Sequence, residues 1–355
     1  MIVDVHVHVF PSLKETAGYD DIQSNYTVHQ GKIRRLWARM KTNTLDERYI
    51  PEPDEDVGFR MDDYGKFHWT KHGKECWMQR FPAVLKNMEW TPEQMIAFMD
   101  EVGVDKGVIQ SGYMEMNFER DYIAEVTAKW PDRFIGTITL DYDVEKGAEH
   151  LKGEMAKLRK AAANQAIKGV YQVFPRGQAI ESRDFDPLWK ELSDLGLPHF
   201  FFVGFQPKDK YLYSLKQIEQ VLKKFPDLIG IIGHLGGNIR SSSRPNYTDG
   251  RELLPVLRLP NVYFEVGYVL AYENWTFWKE NYEYPYPLHT KLIKMLYDDV
   301  GCERLLWGSD MPNLYRTCTY RQCLDLVRLH FDFLDDDEKD LVLGGNAARV
   351  FRLKP

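Results

Sequence analysis

Two histidines, His6 and His8, lie two residues apart in the apolar run IVDVHVHVF that opens the chain. Side chains of an extended strand repeat with period two, so both imidazoles project from the same side. Two imidazoles that share one divalent cation need that arrangement. Further along, His234 sits in GHLGG, where Gly236 and Gly237 are expected to leave room beside the ring. Asp310 sits in LLWGSDMP, where Gly308 and Ser309 allow close approach and Pro312 turns the chain away. A divalent cation polarises a bound oxygen or makes hydroxide from water at neutral pH. Asp310 beside such an ion would take the proton, and His234 would stabilise an oxyanion or deliver a proton.

Each of these residues has an ordinary explanation when taken alone. A single strand histidine is more often a satisfied core residue, and a lone Asp310 reads as a helix cap. The pair at i and i+2 is harder to dismiss, because each buried imidazole needs polar partners.

The elements that would position these groups follow from hydrophobic periodicity. Ile2 to Phe10 reads as a strand rich in β-branched residues. Residues 11–90 then carry a charge run at Pro51 to Asp56 and the aromatics Phe67, Trp69, Trp77 and Phe81, with no sustained period. They read as an insertion with short helices, acting as a lid or interface arm. From Thr91 the pattern is regular: TPEQMIAFMDEVG opens on a Thr cap with Pro at the first helical position and stops at Gly103. The strands DKGVIQSG, RFIGTITLDY, AIKGVYQVF, PHFFFVGF, LIGIIGHLGG, NVYFEVGYV and RLLWGSD follow, separated by helical segments.

Eight strands, each followed by helix, predict an α/β fold: a (β/α)8 TIM-like barrel spanning residues 1–355 as one domain, with an open doubly wound sheet as the alternative. No GxGxxG follows a strand, which weakens the nucleotide-binding version of the open sheet. Barrel active sites lie at the C-terminal ends of the strands. His6 and His8, His234, and Asp310 fall at those ends of the first, sixth and eighth strands.

Composition narrows the partners. A formal charge of −7 with scattered Lys and Arg argues against nucleic acid or an anionic membrane, but allows an anionic small molecule in a locally positive pocket. Cys76, Cys302, Cys318 and Cys323 form no CxxC pair and read as reduced thiols of a cytoplasmic protein. The chain shows no signal-peptide pattern, and no apolar run approaches the roughly 20 residues that span a bilayer.

The HxH pair, GHLGG, LLWGSDMP and the closing GGNAARVF together resemble the amidohydrolase superfamily, and most closely its aminocarboxymuconate-semialdehyde decarboxylase-like branch. The resemblance runs from Ile2 to Phe351 apart from the insertion, and its motifs do not specify a substrate. It implies that His6, His8 and Asp310 bind one divalent metal, zinc or manganese, and that His234 acts as acid/base or polarises the substrate. It also implies a homodimer.

One position departs from the family pattern. The third metal histidine belongs at the end of the fifth strand, where GLPHFFFVGFQP places Phe202 or Val203. His199 comes too early in the strand to reach the mouth. Three outcomes are open. His6, His8, Asp310 and His234 hold the metal; another side chain such as Gln172 or Gln206 contributes; or the metal has been lost, as in some lactonases of the branch.

A metal site of this kind fits two reactions. One is decarboxylation of a small aromatic or unsaturated carboxylic acid, the reaction common in the resembled branch. The other is hydrolysis of a lactone, ester or amide, with or without metal. A non-catalytic binding barrel is a third reading, supported only by the missing histidine. A substrate carboxylate calls for an Arg fork. Arg176 follows the fourth strand, Arg240 and Arg244 follow the sixth, and Arg316 follows the eighth. Each alone reads as a solvated surface residue, while the resemblance favours Arg244. After the seventh strand, GYVLAYENWTFWKENYEYPYP places Trp275 among many aromatics, suited to a flat substrate or a subunit interface.

Overall fold

A computed structural model of the chain describes residues 1–39, 45–111, 119–172, 178–203, 208–236, 250–267 and 284–354. Eight strands form one parallel sheet in sequence order: β1 (Val3–Val7), β5 (Lys106–Ile109), β6 (Phe134–Ile138), β7 (Ile167–Gln172), β8 (His199–Phe201), β9 (Gly230–Ile232), β10 (Val262–Val266) and β11 (Leu305–Trp307). The sheet closes between its ends. The His8 N–H donates to the Met311 carbonyl at 2.8 Å, and the Asp310 N–H donates to the His6 carbonyl at 2.8 Å. The expected (β/α)8 barrel is therefore the observed fold, and its closure brings the first and last strands of the chain together.

The helices around it end where local chemistry dictates. α3 (Pro92–Val102) starts with a reciprocal capping box between Thr91 and Gln94 and stops at Gly103, whose φ of 78° suits a residue without Cβ. α6 (Asp186–Leu195), α7 (Lys208–Lys224) and α10 (Tyr320–His330) bury apolar faces led by Trp189, Ile218 and Leu324. Among the described residues, no helix is long and apolar enough to cross a membrane. All four cysteines are buried and free.

The insertion contains more than short helices. α1 (Ile22–Gln30) and α2 (Ile33–Arg39) precede a three-stranded antiparallel sheet of β2 (Arg60–Met61), β3 (Lys66–Lys71) and β4 (Lys74–Gln79). The β3–β4 hairpin turns at His72 and Gly73, both with positive φ, as a tight two-residue turn requires. Phe67 and Trp69 are fully buried. An antiparallel bridge joins Phe10 to Trp90 and ties the insertion to the barrel at both of its ends.

One irregularity in β1 sets the rest. Against β5, Asp4 pairs with Gly107 and Val7 with Ile109, so β1 carries one extra residue between them. Val3 and Val5 pack with Val108, Ile135, Tyr171, Phe200, Ile231 and Leu306, one cluster drawn from around the barrel and plugged by Val350 and Phe351. Val7 packs instead with the outer core. The bulge thus switches the phase of the strand, and His6 and His8 point into the barrel while Asp4 points outward.

Candidate active site

His6, His8 and Asp310 meet in the barrel. His6 Nε2 lies 3.2 Å from His8 Nε2, His8 Nε2 lies 2.9 Å from Asp310 Oδ1, and His6 Nε2 lies 3.6 Å from the same oxygen. All three residues are buried. Their other ring nitrogens have partners that fix the tautomers. His6 Nδ1 lies 3.0 Å from Glu265 Oε1, and His8 Nδ1 donates to the Gln110 carbonyl at 3.2 Å. With both Nδ1 atoms protonated, two bare Nε2 lone pairs and a carboxylate oxygen converge, and only a positive charge between them relieves their repulsion.

A divalent metal fits this donor set. Bonds of about 2.0–2.1 Å in a tetrahedral site give ligand-to-ligand edges of about 3.3–3.4 Å, close to the separations of 3.2, 2.9 and 3.6 Å. Among the described residues, two groups have metal-ligating geometry: His6 with His8 and Asp310, and His6 with His234 and Glu265. No described Lys or Arg pairs with Asp310 or Glu265, so the buried Asp310 carboxylate faces the position where a cation would sit, and the buried Glu265 carboxylate stands behind His6 at Nδ1.

His234 completes the cluster. Its ring lies 4.6 Å from that of His6 and 4.9 Å, edge-on, from Phe202, and its Nε2 is 3.0 Å from Tyr171 Oη. Burial first, then the charges of His6 and His8, holds its pKa well below the ordinary histidine value. Burial likewise lowers His8. For His6 burial is also the largest single influence, but the carboxylates of Glu265, Asp310 and Asp4 together outweigh it and the net shift is upward. His234 and Asp310 both adopt left-handed backbone, with φ of 52° and 60°. Such conformations cost on the order of 1 kcal/mol each and persist where the surroundings impose them.

Asp4 supports the site from outside the barrel. It accepts hydrogen bonds from the backbone of His6 at 3.0 Å, the backbone of Ser309 at 2.9 Å and Tyr320 Oη at 2.9 Å. Burial raises its pKa to about 6 against the pull of these donors. The carboxylate therefore pins the β1 bulge to the turn that presents Asp310.

A hydroxyl-lined path runs around the strand ends. Gln110 Oε1 accepts from Thr137 Oγ1 at 3.2 Å, and Thr139 Oγ1 contacts Ser111 Oγ at 2.8 Å and the Tyr171 carbonyl at 2.9 Å. It connects the carbonyl partner of His8 to the strand that carries Tyr171.

The fifth-strand gap has a clear occupant. His199 is buried against Trp189 and Phe201, with ring centroids 5.3 and 4.4 Å away, and burial lowers its pKa to about 3. Phe202 takes the place beside His234, and Val203 is buried. Arg316 is half-buried and donates to the Arg80 carbonyl at 2.6 Å, a link from the eighth-strand loop to the insertion. Arg176, Arg240, Arg244, Trp275 and Gln206 lie outside the described residues, as does the side chain of Gln172. Gly236 does a different task from the one its spacing suggests. With φ of 68°, it lies where a Cβ would meet Leu253 at 2.7 Å, so it serves backbone packing.

Glu265 and Tyr171 were not evident from the motifs. Glu265 is a single acid inside the apolar strand NVYFEV, and Tyr171 is the last aromatic before Gln172 in AIKGVYQ. An ionisable residue at a buried strand position was the available signal.

The family model described as amidohydrolase matches residues 3–353. No curated protein sequence matches the chain. Among solved structures, an amidohydrolase from Burkholderia multivorans with bound zinc is similar at a TM-score of 0.65 and 14% identity, covering 100% of both chains. A probable 2-pyrone-4,6-dicarboxylic acid hydrolase from Acinetobacter baumannii with citric acid bound is similar at a TM-score of 0.60 and 15% identity, covering 99% of each chain. The 5-carboxyvanillate decarboxylase of Sphingomonas paucimobilis is similar at 0.54 and 15%, again over 99% of each chain.

Proposed function

The chain belongs to the amidohydrolase family, and from that premise we propose that it is a metal-dependent enzyme that decarboxylates a small aromatic or unsaturated carboxylic acid. The observation that carries the metal part of this reading is the convergence of His6 Nε2, His8 Nε2 and Asp310 Oδ1 within 3.6 Å of one another. These three atoms would hold one zinc or manganese ion, which when bound supplies Lewis-acid polarisation of a substrate oxygen.

The protein groups have separable roles in this reading. Glu265 and the Gln110 carbonyl orient the two histidines. Asp310 Oδ2 is buried and has no hydrogen-bond partner among the described residues. It is therefore placed to hold the proton that the substrate carbon takes up as its bond to the carboxylate breaks and carbon dioxide leaves. His234, oriented by Tyr171, hydrogen-bonds a substrate oxygen, and Phe202 offers a flat apolar wall beside it. Arg176, Arg240, Arg244 and Arg316 are the proposed carboxylate clamps, and Trp275 a proposed stacking partner.

The competing reading is hydrolysis of a lactone, ester or amide. There Asp310 Oδ2 would take a proton from water instead of delivering one to carbon. A panel of hydroxylated benzoates, unsaturated diacids and lactones, incubated with the metal-loaded protein, separates the two. Carbon dioxide release with loss of one carboxyl group supports decarboxylation. Acid production from lactones without carbon dioxide sinks it in favour of hydrolysis.

A further inference from the structure

His6 of the metal pair and the sixth-strand histidine share a partner, the carboxylate of Glu265 on β10. The side chain is fully buried. Its two oxygens lie 3.0 and 3.1 Å from His6 Nδ1, and Oε2 also accepts the backbone N–H of His234 at 3.2 Å. Two glycines make its space. A Cβ on Gly233 would stand 3.3 Å from Oε2, and one on Gly308 would stand 3.0 Å from Oε1. Both glycines belong to the motifs that carry His234 and Asp310, so GHLGG and WGSD both pack against this carboxylate.

We propose that Glu265 is a positioning residue that sets two groups at once: it holds His6 with Nε2 turned toward the metal position, and it anchors the left-handed backbone turn of His234. The proposal rests on the metal reading of His6, His8 and Asp310. Both donors are served by Oε2, while Oε1 lies 3.0 Å from His6 Nδ1 and accepts no hydrogen bond among the described residues. Glutamine has the same shape, but with its one oxygen in the place of Oε2 its amide N–H2 stands at the Oε1 position and faces the His6 Nδ1–H, donor against donor. The opposite orientation turns the N–H2 on the His234 amide, so a glutamine here must weaken its hold on His6 or on His234 and also removes the negative charge behind His6. A carboxylate behind a ligating histidine also raises the basicity of that ligand, and loss of such a partner typically weakens metal binding about 10–100-fold. A purely structural role makes a different prediction, because a buried, weakly paired carboxylate is costly to fold around. Neutralising it would then change metal-free stability and leave metal affinity alone.

The test compares wild type with Glu265→Gln. Metal is removed with chelator, zinc is titrated back by calorimetry against a competing chelator, and His234 amide exchange is followed by mass spectrometry or NMR. We expect zinc affinity to fall about tenfold or more, or His234 amide protection to fall, with the metal-free unfolding midpoint unchanged or raised. Zinc affinity within about threefold of wild type together with intact His234 protection overturns the proposal. So does a loss of metal-free stability that accounts for the weaker binding. Should Glu265→Gln fail to fold, Gly233→Ala displaces the carboxylate without touching His6, and it should weaken zinc binding severalfold. Unaltered binding in a folded Gly233→Ala protein counts against the role. If wild type binds no zinc, the metal reading itself falls and takes this proposal with it. If wild type binds and the variants bind equally well, only the role of Glu265 falls.

Discussion

Asp310 Oδ1 stands 2.9 Å from His8 Nε2 across a sequence separation of 302 residues. Backbone pairing makes the contact: the Asp310 amide donates to the His6 carbonyl and the His8 amide to the Met311 carbonyl. The same two hydrogen bonds close the barrel. Anything that loosens the seam between β1 and the β11 loop therefore loosens the donor set, and the reverse holds for whatever fills it.

If the three converging atoms hold a metal, His6→Ala and His8→Ala should each lower zinc affinity by about 100-fold or more, and chelation should reproduce the loss of turnover. Metal content of dialysed protein and equilibrium titration check this. Wild-type metal content in either variant would refute the assignment.

Asp310→Asn keeps the shape of the side chain and removes its charge and proton affinity. Turnover should fall by about 10²–10⁴-fold, with zinc retained better than in His6→Ala. Steady-state kinetics on whichever substrate the panel yields, with metal analysis of the same samples, measures both quantities. A variant that keeps wild-type turnover would remove Asp310 from proton transfer.

Tyr171→Phe deletes the hydroxyl that lies 3.0 Å from His234 Nε2. The fold should lose only about 1 kcal/mol, while turnover should drop roughly tenfold or more, because one hydrogen bond to an oriented group is lost. Urea unfolding and kcat/KM are the paired measurements. A larger loss for Tyr171→Phe than for His234→Ala would mean that the hydroxyl itself reacts.

Gly308→Ala places a methyl group 3.0 Å from the Glu265 side chain and 3.1 Å from His6 Cβ. Overpacking of this kind costs about 1–3 kcal/mol, and here it should also weaken zinc binding. Thermal unfolding in the presence and absence of zinc should show a smaller zinc-induced gain in Tm than wild type. An unchanged gain would mean that the site tolerates the methyl group.

His199 and His289 are buried, and burial lowers each pKa to about 3. Both stay neutral in the folded chain at pH values where the unfolded chain protonates them. Their contribution is complete above the ordinary value of 6.5 and is lost as pH falls toward 3, by about 2 kcal/mol per histidine between about pH 6.5 and about pH 5. Asp4 opposes them: with its pKa raised to about 6, the fold gains from Asp4 protonation on acidification. Urea unfolding at about pH 7 and about pH 5 should therefore show a smaller acid loss in the His199→Gln, His289→Gln double variant than in wild type. Equal losses would place the acid sensitivity elsewhere.

The barrel was legible because its strands are continuous apolar runs of the length that only a covered parallel sheet demands. The chemistry of His6, His8, His234 and Asp310 was legible because strand order and period assign them to one end of that barrel, and the structure does bring these four side chains together. The insertion was harder to read. In FHWTKHGKECWM the positions that become β3 and β4 pack against α1 and Tyr49 as well as each other. Their apolar residues serve two surfaces, and the period of two is blurred. Glu265 escaped notice for a different reason. One acid in NVYFEV carries no spacing signal, and its role comes from atoms on β1 and in the turn after β9 that are distant in sequence. Tyr171 reads as one more apolar strand residue until its hydroxyl is seen beside His234.

The extra residue in β1 has a consequence for transplanting this centre. HVH in a regular strand would keep the phase set by Val3 and Val5 and send both rings toward the helices. A copy of the motif therefore carries no chemistry without the out-of-phase step before it. The step is held by Asp4 together with Ser309 and Tyr320. The smallest portable unit of this site is thus a splice between β1 and the loop after β11, and grafting or circular permutation that separates Asp4 from the eighth-strand loop would leave the histidines present and misdirected.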